Sequence, residues 1–204
     1  MNKKTILLLI LLTSCVNTEY QLLFNYAKER IVGVDDILID QSFIDEKKFS
    51  FIKVNQGKSK VFIMSLLSIN DDEFEWFGMN DLRIKTKYGR VIETYGFDYD
   101  STMLDISMIS KYEGIRDTSI LIKLDNPEAI HQMSMKYEKN ISKISLEKEY
   151  IVNELKESFS TSPYRWSGVN LYWFDVQTGL PLKSVHQTHP YMEPLEIEFY
   201  YQYN

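Results

Sequence analysis

The chain has 204 residues, 14% of them aromatic with fourteen tyrosines, and a formal net charge of −6. That length suits one domain with a sizeable core. The acidic balance excludes the basic footprint of a general nucleic-acid binder and an electrostatic hold on anionic phospholipid.

Residues 1–14 read as an export signal. Lys3 and Lys4 form a short positive region, and an unbroken aliphatic run follows from Ile6 to Leu12. The run is far shorter than the ~20 apolar residues that span a bilayer, and it has the length of a signal core. Leu12-Thr13-Ser14 then leads directly into Cys15, the only cysteine. This resembles the bacterial lipobox, which implies cleavage before Cys15, a diacylglycerol on its thiol and acylation of the new amine. A lone cysteine can form no internal disulfide, so lipidation also explains its presence in an exported protein. The expected product is tethered, because two or more acyl chains anchor stably. Val16 follows where an Asp would favour inner-membrane retention, so the outer membrane is the expected address. Cleavage leaves 190 residues, and the loss of two lysines brings the net charge to −8.

The mature chain reads as one continuous domain over residues 15–204. Thr18 to Arg30 has the capping and partial apolar stripe of a helix, ended by Gly33. From Phe49 strand signals dominate. Phe49 to Val54 precedes an Asn55-Gln56-Gly57 turn, and the apolar run Lys60–Ile69 suggests a strand buried on both faces. Leu82, Ile84 and Thr86 alternate with basic residues before a turn at Tyr88-Gly89-Arg90, so this segment and Val91–Phe97 form a hairpin. Leu104, Ile106 and Met108 alternate with Asp105 and Ser107. Met133, Met135 and Tyr137 share one strand face, and Ile144, Leu146, Tyr150 and Val152 share another. Glu154 to Pro163 is polar and reads as a loop. Val169–Asp175, a Val176–Gly179 turn, a return strand from Leu180 to His186 and a final strand from Leu195 to Tyr201 complete the chain. The pattern is all-β: mainly an antiparallel meander, as a sandwich or open barrel, with a short N-terminal helix.

Few residues suggest chemistry. There is no Gly-rich phosphate loop and no Gly-x-Ser-x-Gly elbow. His186 and His189 lack the carboxylate-bearing helix of a zinc site and read as structural, so no metal or cofactor is expected. Asp98 with Asp100, and Asp71-Asp72-Glu73, read as acidic loop tips. Trp76 and Trp166 are candidate glycan or partner contacts, because an indole offers an apolar face and a polar N–H. Trp166, beside Pro163, Arg165 and Gly168, is the better candidate for exposure, and Trp173 reads as core.

Four stretches, in order, resemble one family. They are the lipobox at Cys15; Phe49-Ser50 through Gly57-Lys58; Trp76 with the strand leading into Tyr88-Gly89-Arg90-Val91-Ile92; and Trp173-Phe174-Asp175-Val176-Gln177-Thr178-Gly179 with the later Pro194–Ile197 strand. This layout is similar to the YjbF/GfcB family of outer-membrane lipoproteins associated with capsule and exopolysaccharide secretion. The resemblance implies a mainly β-sheet, non-enzymatic accessory of polysaccharide export, whose partners are secretion proteins or polysaccharide. It transfers no catalytic residue. Two other readings fit the residues: a half-barrel carrier or chaperone for a hydrophobic ligand such as lipid or lipoprotein, and a glycan-modifying enzyme, which would need convergent carboxylates in a cleft.

Overall fold

The computed structural model describes residues 36–58 and 60–202. The expected signal at residues 1–14, Cys15 and the expected helix at Thr18–Arg30 lie outside the described residues. The compact unit that forms the fold comprises residues 37–57 and 61 onward.

Among the described residues, one short helix, α1 (Gln41–Glu46), precedes twelve strands. These are β1 (Phe51–Gln56), β2 (Lys60–Asn70), β3 (Glu73–Phe77), β4 (Arg83–Lys87), β5 (Arg90–Tyr95), β6 (Ser101–Met103), β7 (Thr118–Leu124), β8 (Ala129–Ser145), β9 (Glu149–Ser162), β10 (Ser167–Asp175), β11 (Pro181–His186) and β12 (Leu195–Tyr200). Each strand neighbours the next in sequence, and β12 returns to β1 to close a barrel. The closing register runs from Phe51 opposite Tyr200 to Gln56 opposite Leu195. The expected antiparallel meander is therefore present, and closure replaces the sandwich or open barrel. Closure pairs both strand edges that a meander would leave exposed.

Local chemistry places the hairpins. Asp71 and Asp72 have φ of 47° and 68°, and Tyr88 and Gly89 have φ of 49° and 76°. Two consecutive positive-φ residues match the right-handed twist of the flanking strands. The acidic pair Asp71-Asp72 is thus a turn device. Asp100 acts similarly, accepting hydrogen bonds from the backbone N–H groups of Gly96 and Phe97. Helix α1 is capped by Asp40, which accepts from the Phe43 N–H at 2.8 Å. Phe43 packs edge-on against Phe51, which stacks on Tyr200.

Beside a small cluster of Leu155, Tyr172 and Phe174, the interior holds two large apolar clusters. One includes Ile52, Trp76, Ile84, Val91, Ile197 and Phe199. The other includes Ile92, Ile120, Met133, Met135, Phe159 and Trp166. Strand β5 serves both. Its pairing with β4 shifts so that Glu93 opposes Lys85 and Val91 opposes Thr86, leaving Ile92 as the extra residue of a bulge. Val91 then faces one cluster and Ile92 the other.

Four expectations change. Glu154–Pro163 is not a loop; most of it belongs to β9, with Leu155, Glu157, Phe159 and Thr161 buried. Ile144–Val152 is not one strand, because it contains the turn between β8 and β9. Strand β2 is not buried on both faces: Met64 is buried, while Leu67 and Ile69 are more than half exposed. Ile106–Met108 forms a 3-10 turn after the short β6.

Candidate functional site

Two arrangements bring chemistry-bearing side chains together: a polar cluster inside the barrel, and a pair of clefts at one end.

The polar cluster centres on Glu157 of β9. Arg90 reaches it from β5, and the pair's side chains are 3% and 0% exposed. Asn170 on β10 donates to Glu157 Oε1 at 2.7 Å, and the Tyr172 hydroxyl donates to the same oxygen at 3.3 Å. Arg90 Nη2 also donates to the Tyr137 hydroxyl at 3.3 Å, and its guanidinium lies 5.2 Å from the centre of the Tyr172 ring. His186 of β11 meets Tyr172 edge-on at 5.9 Å. Burial pushes the Glu157 carboxyl up, but the Arg90 charge and the Asn170 hydrogen bond outweigh it and hold the group below the ordinary carboxylate range. Burial pulls Arg90 down, and Glu157 more than restores it. His186 is pulled down to about 3 by burial, against the attraction of Glu157. It is therefore neutral at ordinary pH. Glu157 is ionised, bound and shielded from solvent. It ties β5, β9 and β10 together and has no access to a substrate.

The clefts lie where the β2–β3, β4–β5, β8–β9 and β10–β11 turns meet the end of β12. The first has a volume of about 200 Å³. Its walls are the rings of Phe74, Tyr88, Tyr112, Phe174 and Tyr201, with Asp72, Lys111 and Glu113 on its rim. Tyr88 donates its hydroxyl to Asp72 at 2.8 Å, and Lys111 Nζ stands 5.6 Å from the Tyr88 ring centre. Tyr112 packs on Phe174 with centroids 5.5 Å apart, and Lys139 Nζ lies 4.8 Å from the Tyr112 ring. Gly89 sits in the floor. A Cβ there would come within 2.7 Å of Pro181 Cβ, so only glycine lets the β4–β5 turn approach β11 so closely.

The second cleft, about 290 Å³, is bounded by Tyr150, Leu182 and Tyr200, by Gln41 and Ile44 of α1, and by Glu147 and Lys148 of the β8–β9 turn. Both clefts share Thr178, Leu180 and Tyr201. The divide between them is the β10–β11 hairpin. Asp175 accepts from the Gln177 N–H at 3.1 Å and from the Thr178 hydroxyl at 2.8 Å. The Gly179 N–H donates to the Asp175 carbonyl at 2.8 Å. Asp175, Thr178 and Gly179 thus hold a rigid tongue between two aromatic hollows.

The two tryptophans singled out from sequence lie elsewhere. Trp76 is fully buried, and its indole N–H donates to Thr86 at 2.9 Å inside the barrel. Trp166 is 8% exposed and packs edge-on against Phe159. Trp76 fills an inward position of β3, and Trp166 packs into the core just before β10, so neighbouring side chains cover both rings. Cys15 lies outside the described residues. His186 and His189 are both buried, and among the described residues no three His, Cys, Asp or Glu side chains are grouped to hold a metal ion. Sequence reasoning missed Arg90, Glu157, Tyr88 and Tyr112. For Tyr88 a signal existed, the turn before Gly89. For Tyr112 there was none, since its segment has no regular alternation.

A family model described as group 4 capsule polysaccharide lipoprotein gfcB, YjbF, matches residues 24–200. Among solved structures, the crystal structure of the hypothetical lipoprotein YmcC from Escherichia coli K12 superposes with a TM-score of 0.71 at 15% identity. The match covers 81% of this chain and 90% of that one, and at this identity it establishes the shared fold. No curated protein sequence matches the chain.

Proposed function

The chain belongs to the YjbF family of capsule polysaccharide lipoproteins, and from that premise we propose that it is a lipid-anchored, non-enzymatic accessory of capsule or exopolysaccharide export. In this reading residues 1–14 are removed, and Cys15 holds residues 15–204 to the outer membrane on its periplasmic side. The domain acts by binding polysaccharide or other secretion proteins. The observation that carries the reading is the family match over residues 24–200. The tyrosine-rich clefts support it, because aromatic walls with a polar rim suit contact with glycan. The carrier alternative needs interior room for a hydrophobic ligand. Trp76 fills one part of the barrel centre, and the Arg90–Glu157 pair crosses another. An apolar cargo there would strip partners from a buried ion pair.

Deletion of the gene, with a Cys15→Ser strain beside it, tests the proposal. Surface and secreted polysaccharide are measured in both. A fall or change in both strains supports an export role that needs the tether. Unchanged polysaccharide in the deletion overturns the export role. Normal polysaccharide in the Cys15→Ser strain alone removes the need for anchoring.

A further inference from the structure

We propose that the two clefts beside the Asp175–Leu180 tongue form one groove for a neutral stretch of glycan chain, with Tyr88 and Tyr112 as stacking platforms. This rests on the polysaccharide reading above and assigns it a surface.

Size and continuity come first. At about 200 and 290 Å³, each hollow lies below the range of ~300–1,000 Å³ that encloses a drug-sized ligand. Each suits one ring-sized group. Because both border Thr178, Leu180 and Tyr201, a linear chain of rings can pass over the tongue from one hollow into the other.

Chemistry selects a sugar chain over an aliphatic one. A pyranose has an apolar C–H face and an edge of hydroxyls. The first cleft matches both, with half-buried tyrosine rings beside carboxylates. An acyl chain in the same place would desolvate Asp72 and Glu113 without giving them hydrogen bonds. Sugar hydroxyls donate to such carboxylates.

Charge selects a neutral segment. Asp72 and Glu113 border the first cleft against Lys111. Glu147 and Asp175 border the second against Lys148. Lys139, over the Tyr112 ring, brings the first hollow to two carboxylates against two ammonium groups, so it offers a uronate no net attraction, and in the second a uronate meets an excess of carboxylates. Tyr88 fixes Asp72 by its hydroxyl bond, and Tyr150 fixes Glu147 in the same way. These two acids are therefore held where an incoming anion would meet them.

The test uses the mature lipoprotein in detergent. The probes are oligosaccharides released by mild acid from the producing strain's own surface polysaccharide, split by anion exchange into neutral and acidic pools. Binding is read by saturation-transfer NMR and titration calorimetry. Neutral oligosaccharides are expected to bind at least tenfold more tightly than acidic ones of equal length. Tyr112→Ala, Tyr112→Leu and Tyr88→Leu are each expected to weaken that binding at least tenfold. Tyr191→Ala, at an exposed tyrosine outside both clefts, leaves it unchanged. Unaltered circular dichroism and melting temperature in a Tyr112 variant confirm that the loss is local. No binding of the neutral pool, preference for the acidic pool, or indifference to all three cleft variants overturns the groove. In cells, full restoration of polysaccharide by Tyr112→Ala in a deletion strain that lacks it overturns the groove and leaves the export role standing.

Discussion

Arg90 on β5 and Glu157 on β9 form an ion pair across the barrel interior, 67 residues apart in sequence and shielded from solvent. Two charges taken from water cost several kcal/mol each, which close pairing and extra hydrogen bonds offset. Asn170 and Tyr172 supply those bonds.

Removing one partner leaves the other charged and alone. Glu157→Ala is expected to destabilise the protein by about 3–5 kcal/mol in urea denaturation. Arg90→Met combined with Glu157→Leu is expected to cost clearly less, because neither charge is then left unpaired. A double variant as weak as the sum of the single ones would show that the pair is not coupled.

His186 makes stability depend on pH. The unfolded imidazole gains its proton near 6.5, and the folded one near 3. Between those values the unfolded chain binds more protons. Stability is therefore complete above 6.5 and falls as the pH drops toward 3, by roughly 1.4 kcal/mol per unit. Glu157 attracts the imidazolium and Arg90 repels it, but burial dominates. Glu157 acts in the same direction at lower pH, since its folded pKa lies below 4.5 and its contribution is lost as the pH falls through that value. Urea midpoints between pH 7.5 and 5 are expected to fall less steeply in His186→Asn than in the wild type. Equal slopes would assign the dependence elsewhere, for instance to His189, whose pKa burial also lowers.

Trp76 is a core residue with one polar tie. Trp76→Ala removes the indole from a fully buried site and deprives Thr86 of its donor. The expected loss is ~3–5 kcal/mol. Trp76→Phe should cost less, since most of the ring volume remains. A near-neutral alanine variant would contradict the packing.

Gly89 and Gly179 separate two demands on glycine. Both have positive φ, at 76° and 71°. A Cβ at Gly179 meets nothing within 4 Å, whereas at Gly89 it runs into Pro181. Gly179→Ala is expected to cost about 1 kcal/mol, at the lower end of strained backbone positions. Gly89→Ala is expected to cost more, and to widen the first cleft by pushing the β4–β5 turn from β11. Thermal melts of the two variants compare them directly.

What the sequence determined by itself was whatever local chemistry decides. Val169–Asp175 is rich in aromatic residues, Leu195–Tyr201 alternates apolar with acidic residues, and the turn at Val176–Gly179 is built from its own residues, so strands and hairpin were legible there. Met133, Met135 and Tyr137 likewise revealed the inward face of β8. The family resemblance rested on the same local stretches, and the match over residues 24–200 supports it. Tertiary structure alone decided the rest. The Glu154–Pro163 segment looked like a loop because an acid occupies an inward position of β9. Only Arg90, brought from a distant strand, makes burial of Glu157 tolerable. Closure into a barrel depends on β12 finding β1, a pairing that no local pattern encodes. The clefts collect rings from Phe74 to Tyr201, and the tryptophans that seemed suited to a surface fill the core instead. Side-chain chemistry is written in the chain, but whether a ring faces water or its neighbours is settled by which distant strands lie beside it.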